Sequence, residues 1–261
     1  MAPFNTHFLI AEKIWLRLPG PWQPYYGQFC FGCIAPDVDK LSPTLSQRDT
    51  HFFDRTGEYD LMASHRSAAF VARQAEFLLQ PFAQLWPEAQ AFVLGYLCHL
   101  CVDEVSKHLW RRETWIHFKD IGPGAAFAAL DEQVRQQIED YAAITQALCA
   151  VQPLHVIPTI PPADLSRMLQ GVCHFAQVET PEEEFLALVD IFDQITSEQR
   201  EERRRYFRAH IDQARTHLRF FHLERLIKTS LAHSYHRLAD LIEGRIPEPG
   251  YPEVGIHLPG S

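Results

Sequence analysis

The sequence predicts an all-α fold, and three observations carry that prediction. Apolar residues recur at three- and four-residue intervals over long stretches, which is the helical period. No apolar–polar alternation of useful length occurs; only short ambiguous runs near Phe29 and Val156 have strand character. Prolines and glycines separate the periodic stretches, with four prolines between positions 153 and 162 making the sharpest break. Helices on both sides of that break can share one core. The reading is a metal-binding helical core over 1–152 and a C-terminal helical extension over 153–261, packed on the same domain. The 46% hydrophobic content of the 261 residues suits a sizeable interior.

Residues 4–18 form the first helix. Phe4, Phe8, Ala11, Trp15 and Leu18 make its apolar stripe, Asn5 or Thr6 supplies a cap, and His7 sits in the first turn. LPGPWQPYYGQ reads as a Pro/Gly/aromatic loop. Phe29 to Ala35 is small and apolar. Pro36 then disfavours helix before it, which places Asp37 in a turn or extended segment. A polar loop from Lys40 to Thr50 leads into His51-Phe52-Phe53. A second helix is expected from about Tyr59 to Gln80. The central helix follows, with Pro87 in its first turn. A third amphipathic stretch covers Ala125 to Val151. Beyond the prolines, helices are expected near 165–178, 181–196, 198–225 and 224–243. Phe207, Ile211, Ala214, Leu218 and Phe221 mark the long one. The tail from Ile246 is Pro/Gly-rich and irregular.

Composition narrows the function. A formal charge of -9 argues against bulk binding to nucleic acid or anionic membranes, which needs a basic surface. No run of eighteen apolar residues predicts a transmembrane helix. The N-terminal stretch lacks the pattern of a secretion signal, so a cytoplasmic protein with reduced thiols is expected. Neither a Gly-rich phosphate loop nor a G-x-S-x-G elbow is present.

The central stretch Phe92 to Lys107, FVLGYLCHLCVDEVSK, is apolar on nearly every side yet carries His99 and Asp103 one helical turn apart. A carboxylate buried there is costly unless paired, hydrogen-bonded or metal-bound. Three other polar residues lie in similarly apolar sequence: His7, Asp37 and His51. Three imidazoles and two carboxylates without a thiolate suit zinc, and would also hold iron or manganese. The ordinary reading is core histidines bonded to backbone, with aspartates capping helices.

The five residues stand in THFLIAEKIW, GCIAPDVD, THFFD and GYLCHLCVDE. Their order, the gap of fourteen from Asp37 to His51, the gap of forty-eight to His99 and the H-x-x-x-D pair resemble the prokaryotic zinc-dependent phospholipase C family. The helical fold of that family is shared with fungal single-strand nucleases. The resemblance covers about residues 1–110. It implies that Asp37, His51, His99 and Asp103 hold one zinc ion and that His7 shares a further ion with a bridging Asp103. It also implies a metal-activated water attacking a phosphate ester, with Asp37 orienting or deprotonating that water. Two departures stand out. Secreted members ligate metal through a processed N-terminal residue, whereas Met1 here is six residues before His7. The family's later His and Glu ligands have no counterpart at matching spacing, the nearest residues being His108, Glu113, His117 and Asp120. One or two ions are therefore expected, not three.

Other signals read as structure. Cys30-x-x-Cys33 and Cys98-x-x-Cys101 suit small core thiols better than a four-thiolate zinc site. His65 reads as a core histidine or a support to the site. The pairs His210/His217 and His233/His236 read as satisfied or solvated, and Arg203 to Arg205 as a solvated, salt-linked helix face. The expected activity is that of a zinc-dependent phosphoesterase acting on a small phosphate ester or phospholipid. A non-catalytic metal-binding scaffold is the alternative, and a nuclease the third reading.

Overall fold

The computed structural model describes residues 2–18, 20–52, 66–113, 123–193, 195–218 and 222–247; of residues 108, 110–113 and 123 it describes the backbone alone. The described residues are helical, with no strand among them. The short apolar run at Phe29 is therefore a helix, and the run at Val156 is irregular chain.

The helix α6, Pro87–Glu113, is the centre of the molecule. Every residue from Ala91 to Ser106 is buried, so this helix has no solvent face along sixteen positions. The helix α2, Tyr26–Gly32, crosses it at very short range. A Cβ on Gly32 would lie 2.1 Å from the Phe92 carbonyl oxygen, and one on Gly95 would lie 2.1 Å from the Phe29 carbonyl oxygen. Two glycines thus let two backbones touch, each against the other's carbonyl. This contact explains a seven-residue helix that sequence periodicity could not identify. It also brings Cys33, just past the end of α2, beside His99.

The helix α1, Phe4–Trp15, starts one residue after Pro3, without a cap from its own side chains. The expected cap from Asn5 or Thr6 is replaced by a tertiary one. The Asp131 carboxylate accepts the Asn5 backbone N–H at 2.7 Å. Asp37 lies in a 3-10 turn, Ala35–Lys40, not in extended chain. The expected loop before His51 ends in a short helix, α3, Gln47–His51, opened by a reciprocal Ser46–Asp49 capping box. The Pro/Gly/aromatic loop likewise winds into a 3-10 segment, Gly20–Tyr25.

Of the second expected helix, residues 66 onward are described. They form α4, Arg66–Ala72, and α5, Gln74–Phe77. The expected stretch 125–151 divides into α7, Pro123–Arg135, and α8, Tyr141–Ala150. Asp140 causes the division by capping α8, its side chain accepting from Ala143 N at 2.9 Å. The remaining helices are α9, Pro162–Gln177, α10, Pro181–Asp193, α11, Ser197–Leu218, and α12, Leu223–Glu243. The arginines of α11 are more than a solvated face. Arg204 pairs with Glu183 at 3.0 Å and Arg208 with Glu182 at 2.8 Å, both on α10.

The helix α12 closes on α6 through a buried polar knot. Glu104 accepts Ser67 N at 2.8 Å and Ser67 Oγ at 2.7 Å, and meets His233 Nε2 at 2.7 Å. His233 is accordingly a buried core histidine held through Nε2, and His210 meets the Tyr206 carbonyl oxygen at 2.8 Å. No helix among the described residues is long and apolar enough to cross a membrane.

Candidate metal centre

His7, Asp37, His51, His99 and Asp103 come from four separate elements, and the fold brings all five together. Each is at most 1% exposed. His99 and Asp103 stand on α6, His7 on α1, Asp37 in the 3-10 turn and His51 at the end of α3.

Local structure aims each ring. The Cys33 carbonyl oxygen can only accept, so the contact of 2.8 Å with His99 Nδ1 puts the proton on that nitrogen. The lone pair of His99 Nε2 then faces the centre. His51 Nδ1 meets Thr50 Oγ1 at 2.9 Å and lies 3.8 Å from Asp39 Oδ1, while its Nε2 turns inward. Phe52, the next residue, is left-handed with φ 54. An aromatic cluster holds that conformation, with Phe52 against Phe77 at 4.1 Å and against Tyr96 at 5.9 Å. Tyr96 also donates its hydroxyl to the Thr50 carbonyl oxygen. His7 stacks on His99 at 4.1 Å with planes 5° apart.

The inward atoms form a compact triangle. His51 Nε2 is 3.3 Å from His99 Nε2 and 3.6 Å from Asp37 Oδ1, and His99 Nε2 is 3.7 Å from that oxygen. Ligands bonded tetrahedrally to zinc at about 2.0–2.1 Å lie roughly 3.3–3.4 Å apart, so these edges are close to those of a zinc site. A second group, His7, His99 and Asp103, also converges closely enough to hold an ion. Asp103 Oδ1 is 3.9 Å from His7 Nε2, and its Oδ2 is 3.8 Å from His51 Nε2. His99 belongs to both groups. The Asp103 Oδ1 atom also accepts the backbone N–H of Ala2 at 2.8 Å, just ahead of α1.

Protonation favours metal binding. Burial first, then the neighbouring His99, holds the His7 imidazole well below its ordinary value. Burial likewise pushes His51 and His99 down to about 4. All three rings are therefore neutral near pH 7 and able to ligate. Burial alone would push the two carboxylates up. Lys40 and His99 reverse this for Asp37, and Lys107, His99 and His51 do so for Asp103, so both are held well below the usual carboxylate range. Neither nitrogen of His7 has a hydrogen-bond partner among the described residues, nor does Asp37 Oδ2. Leaving such groups unmet costs about 1–3 kcal/mol each. Neutral imidazoles, ionised carboxylates and unmet buried lone pairs together fit a divalent cation.

Sequence reasoning missed the cations of this site. Lys40 pairs with Asp37, while Lys107 Nζ and Arg66 Nη1 each lie 3.6 Å from Asp103 Oδ2. Two of them carried a spacing signal: Lys40 is three residues after Asp37, and Lys107 is four after Asp103 on the same helix. Arg66 carried none, since only the docking of α4 brings it in. The four cysteines Cys30, Cys33, Cys98 and Cys101 are buried core thiols. Burial pushes the thiols of Cys30, Cys33 and Cys101 upward, which disfavours thiolate ligation. The side chains of His65, His108, Glu113, His117 and Asp120 lie outside the described residues.

The family model described as zinc-dependent phospholipase C matches residues 6–143. That span contains all five converging residues. Comparison with curated proteins and with solved structures gives no match.

Proposed function

The chain belongs to the zinc-dependent phospholipase C family, and on that premise we propose that it is a hydrolase of phosphate esters working at the His/Asp centre. The triangle of Asp37, His51 and His99, fully buried and held in a metal-ready protonation state, is the observation that carries the reading. Zinc bound there supplies Lewis acidity, which makes water nucleophilic near neutral pH and draws charge from a phosphoryl oxygen.

The chain's own residues would do the rest. His51 and His99 would hold the ion through their inward-facing nitrogens together with the Asp37 carboxylate. Asp37 Oδ2 is left to accept a hydrogen bond from the attacking water and so to aim it. A carboxylate held this far below its usual range is a poor proton acceptor, so Asp37 orients the water better than it deprotonates it. His7 with Asp103 offers the second position. The Cys33 carbonyl and the Thr50 hydroxyl fix the two imidazoles before any ligand arrives. A lipid phosphodiester is the substrate the family suggests, and we propose a phosphate ester as the broader class.

The burial of all five residues to 1% exposure or less favours one rival, a closed metal site that only supports the fold. The deciding experiment measures zinc per chain and hydrolysis of generic phosphomonoesters and phosphodiesters. The expected result is stoichiometric zinc and hydrolysis that is lost with chelator, restored by zinc, and reduced about 100-fold or more in Asp37→Asn. Stoichiometric zinc with no hydrolysis of either class would replace the enzyme by the scaffold. Single-stranded DNA in the same assay tests the nuclease reading, which the formal charge of -9 disfavours.

A further inference from the structure

We infer that Cys149 and Cys173 are a reversible thiol–disulfide pair, closed by hydrogen peroxide, that staples α8 to α9. The inference is independent of the phosphoesterase reading. Both residues are free thiols in the structure. The two helices meet through matching rows of side chains. Thr145 and Cys149 lie one turn apart on α8, and Cys173 and Gln177 lie one turn apart on α9. Contacts between the rows fix their register. Thr145 Oγ1 donates to the Ala176 carbonyl oxygen at 3.1 Å, and Gln177 Nε2 donates to Cys149 Sγ at 3.6 Å. Beside these contacts the two thiols share a hydrogen bond. Sulfurs already in such contact need only side-chain rotation to reach a bond of about 2.05 Å.

Access separates this pair from the other four cysteines. Cys30, Cys33, Cys98 and Cys101 are wholly buried, whereas Cys149 is exposed and Cys173 half-buried. Cys149 and Cys173 line a cleft of about 450 Å³ together with Leu148, Gln152, Leu169 and His174. A molecule the size of peroxide enters such a space and meets sulfur directly.

The two thiols have different parts in the chemistry. Burial, and then the hydrogen bond with Cys149, pushes the Cys173 thiol up to about 12. Cys173 therefore waits as a thiol, and the exposed Cys149 meets the oxidant first. Cys149 Sγ attacks one peroxide oxygen: an S–O bond forms, the O–O bond breaks, and the departing hydroxide takes the thiol proton to leave as water. Cys173 Sγ then attacks the sulfenic sulfur: the S–S bond forms, the S–O bond breaks, and the hydroxyl leaves as a second water with the Cys173 proton. Two thiols are oxidised, one peroxide is reduced, and two waters are released.

The staple sits behind the elements that carry the metal centre. Ala147, two residues before Cys149, lies against α2, where a Cβ on Gly27 would be 2.3 Å from its carbonyl oxygen. The helix α9 packs against the 3-10 turn Ala35–Lys40. The bond thus ties the helix backing α2 to the helix backing the Asp37 turn.

The test treats the full-length protein with one equivalent of hydrogen peroxide and counts thiols after denaturation. Two of the six thiols should disappear, the intact mass should fall by two hydrogens, and digestion should join the Cys149 and Cys173 peptides. A phosphine reductant should restore all six. The closed form should unfold at a urea concentration about 1 M higher, measured in excess chelator so that zinc does not contribute. Cys149→Ser and, independently, Cys173→Ser should each abolish the internal bond and the shift. A disulfide between other cysteines, oxygen added to Cys149 without a cross-link, or a covalent dimer as the main product overturns the pair. An unchanged urea midpoint in the cross-linked protein overturns the staple.

Discussion

His99 does two jobs with two different nitrogens, and substitution can separate them. Its Nδ1 donates to the Cys33 carbonyl oxygen at 2.8 Å, while its Nε2 faces His51 Nε2 and Asp37 Oδ1, and the residue belongs to both converging groups. In His99→Asn the side-chain amide can reach the Cys33 carbonyl, but nothing reaches the position of Nε2. In His99→Ala both contacts are lost. The Cys33 carbonyl is buried at the end of α2 and has no helical acceptor role left to fall back on, so orphaning it costs about 1–3 kcal/mol. Removal of a buried ring stacked on His7 adds a cavity, giving a total of about 3–5 kcal/mol for alanine. Asparagine should cost about half of that or less. Both variants reduce each three-residue group to two, so zinc affinity should fall by more than about 100-fold, beyond the usual cost of losing a supporting hydrogen bond. The assays are urea unfolding in excess chelator, which reads the first job, and elemental analysis after dialysis, which reads the second. An asparagine variant that keeps one tightly held zinc per chain would refute the centre. Equal instability of the two variants in chelator would refute the role given to the Cys33 contact.

Two further outcomes follow from the same geometry. Gly95→Ala places a Cβ 2.1 Å from the Phe29 carbonyl oxygen, a backbone atom that cannot swing aside. It should cost about 2–3 kcal/mol in urea unfolding and lower zinc affinity by moving Cys33 away from His99; an unperturbed variant would mean that the helices do not cross this closely. In chelator, stability should depend on pH in a definite sense. His51 and His99 sit near 4 when folded against 6.5 when unfolded, so between those values the unfolded chain binds more protons. Stability is then full above pH 6.5 and declines as pH falls toward 4, by on the order of 3 kcal/mol for each imidazole. A flat urea midpoint across that window would contradict the neutral buried imidazoles.

The centre was legible in sequence because burial and polarity conflict there. His99 and Asp103 break an otherwise apolar helix, and His7, Asp37 and His51 each interrupt apolar sequence. Long helices were legible for the same periodic reason. What escaped were features set by tertiary contact. The helix α2 is too short for its period to be read, and a glycine-to-carbonyl crossing defines it instead of an apolar stripe. The division between α7 and α8 rests on one capping residue, Asp140, within a stretch whose pattern reads through it. The N-terminus of α1 is capped by Asp131, more than a hundred residues away. Arg66 is invisible for a related reason: nothing near it in sequence indicates which carboxylate it will meet.

The knot around Glu104 bears on the order in which the chain can be built. All five converging residues lie within the first 103 positions, and a ribosome has made them all long before it reaches α12. Yet Glu104, next to Asp103, draws its partners from Ser67 and from His233, which is 129 residues further on. Tyr235, in the same helix, donates to the Lys13 carbonyl oxygen across 222 residues. Until that last helix emerges, the floor of the centre carries a carboxylate lacking one of its partners, and α1 lacks one of its anchors. The converging residues are thus encoded early, and the polar contacts beside them are completed late. Closure of α12 onto α6 completes the polar knot beside the candidate centre.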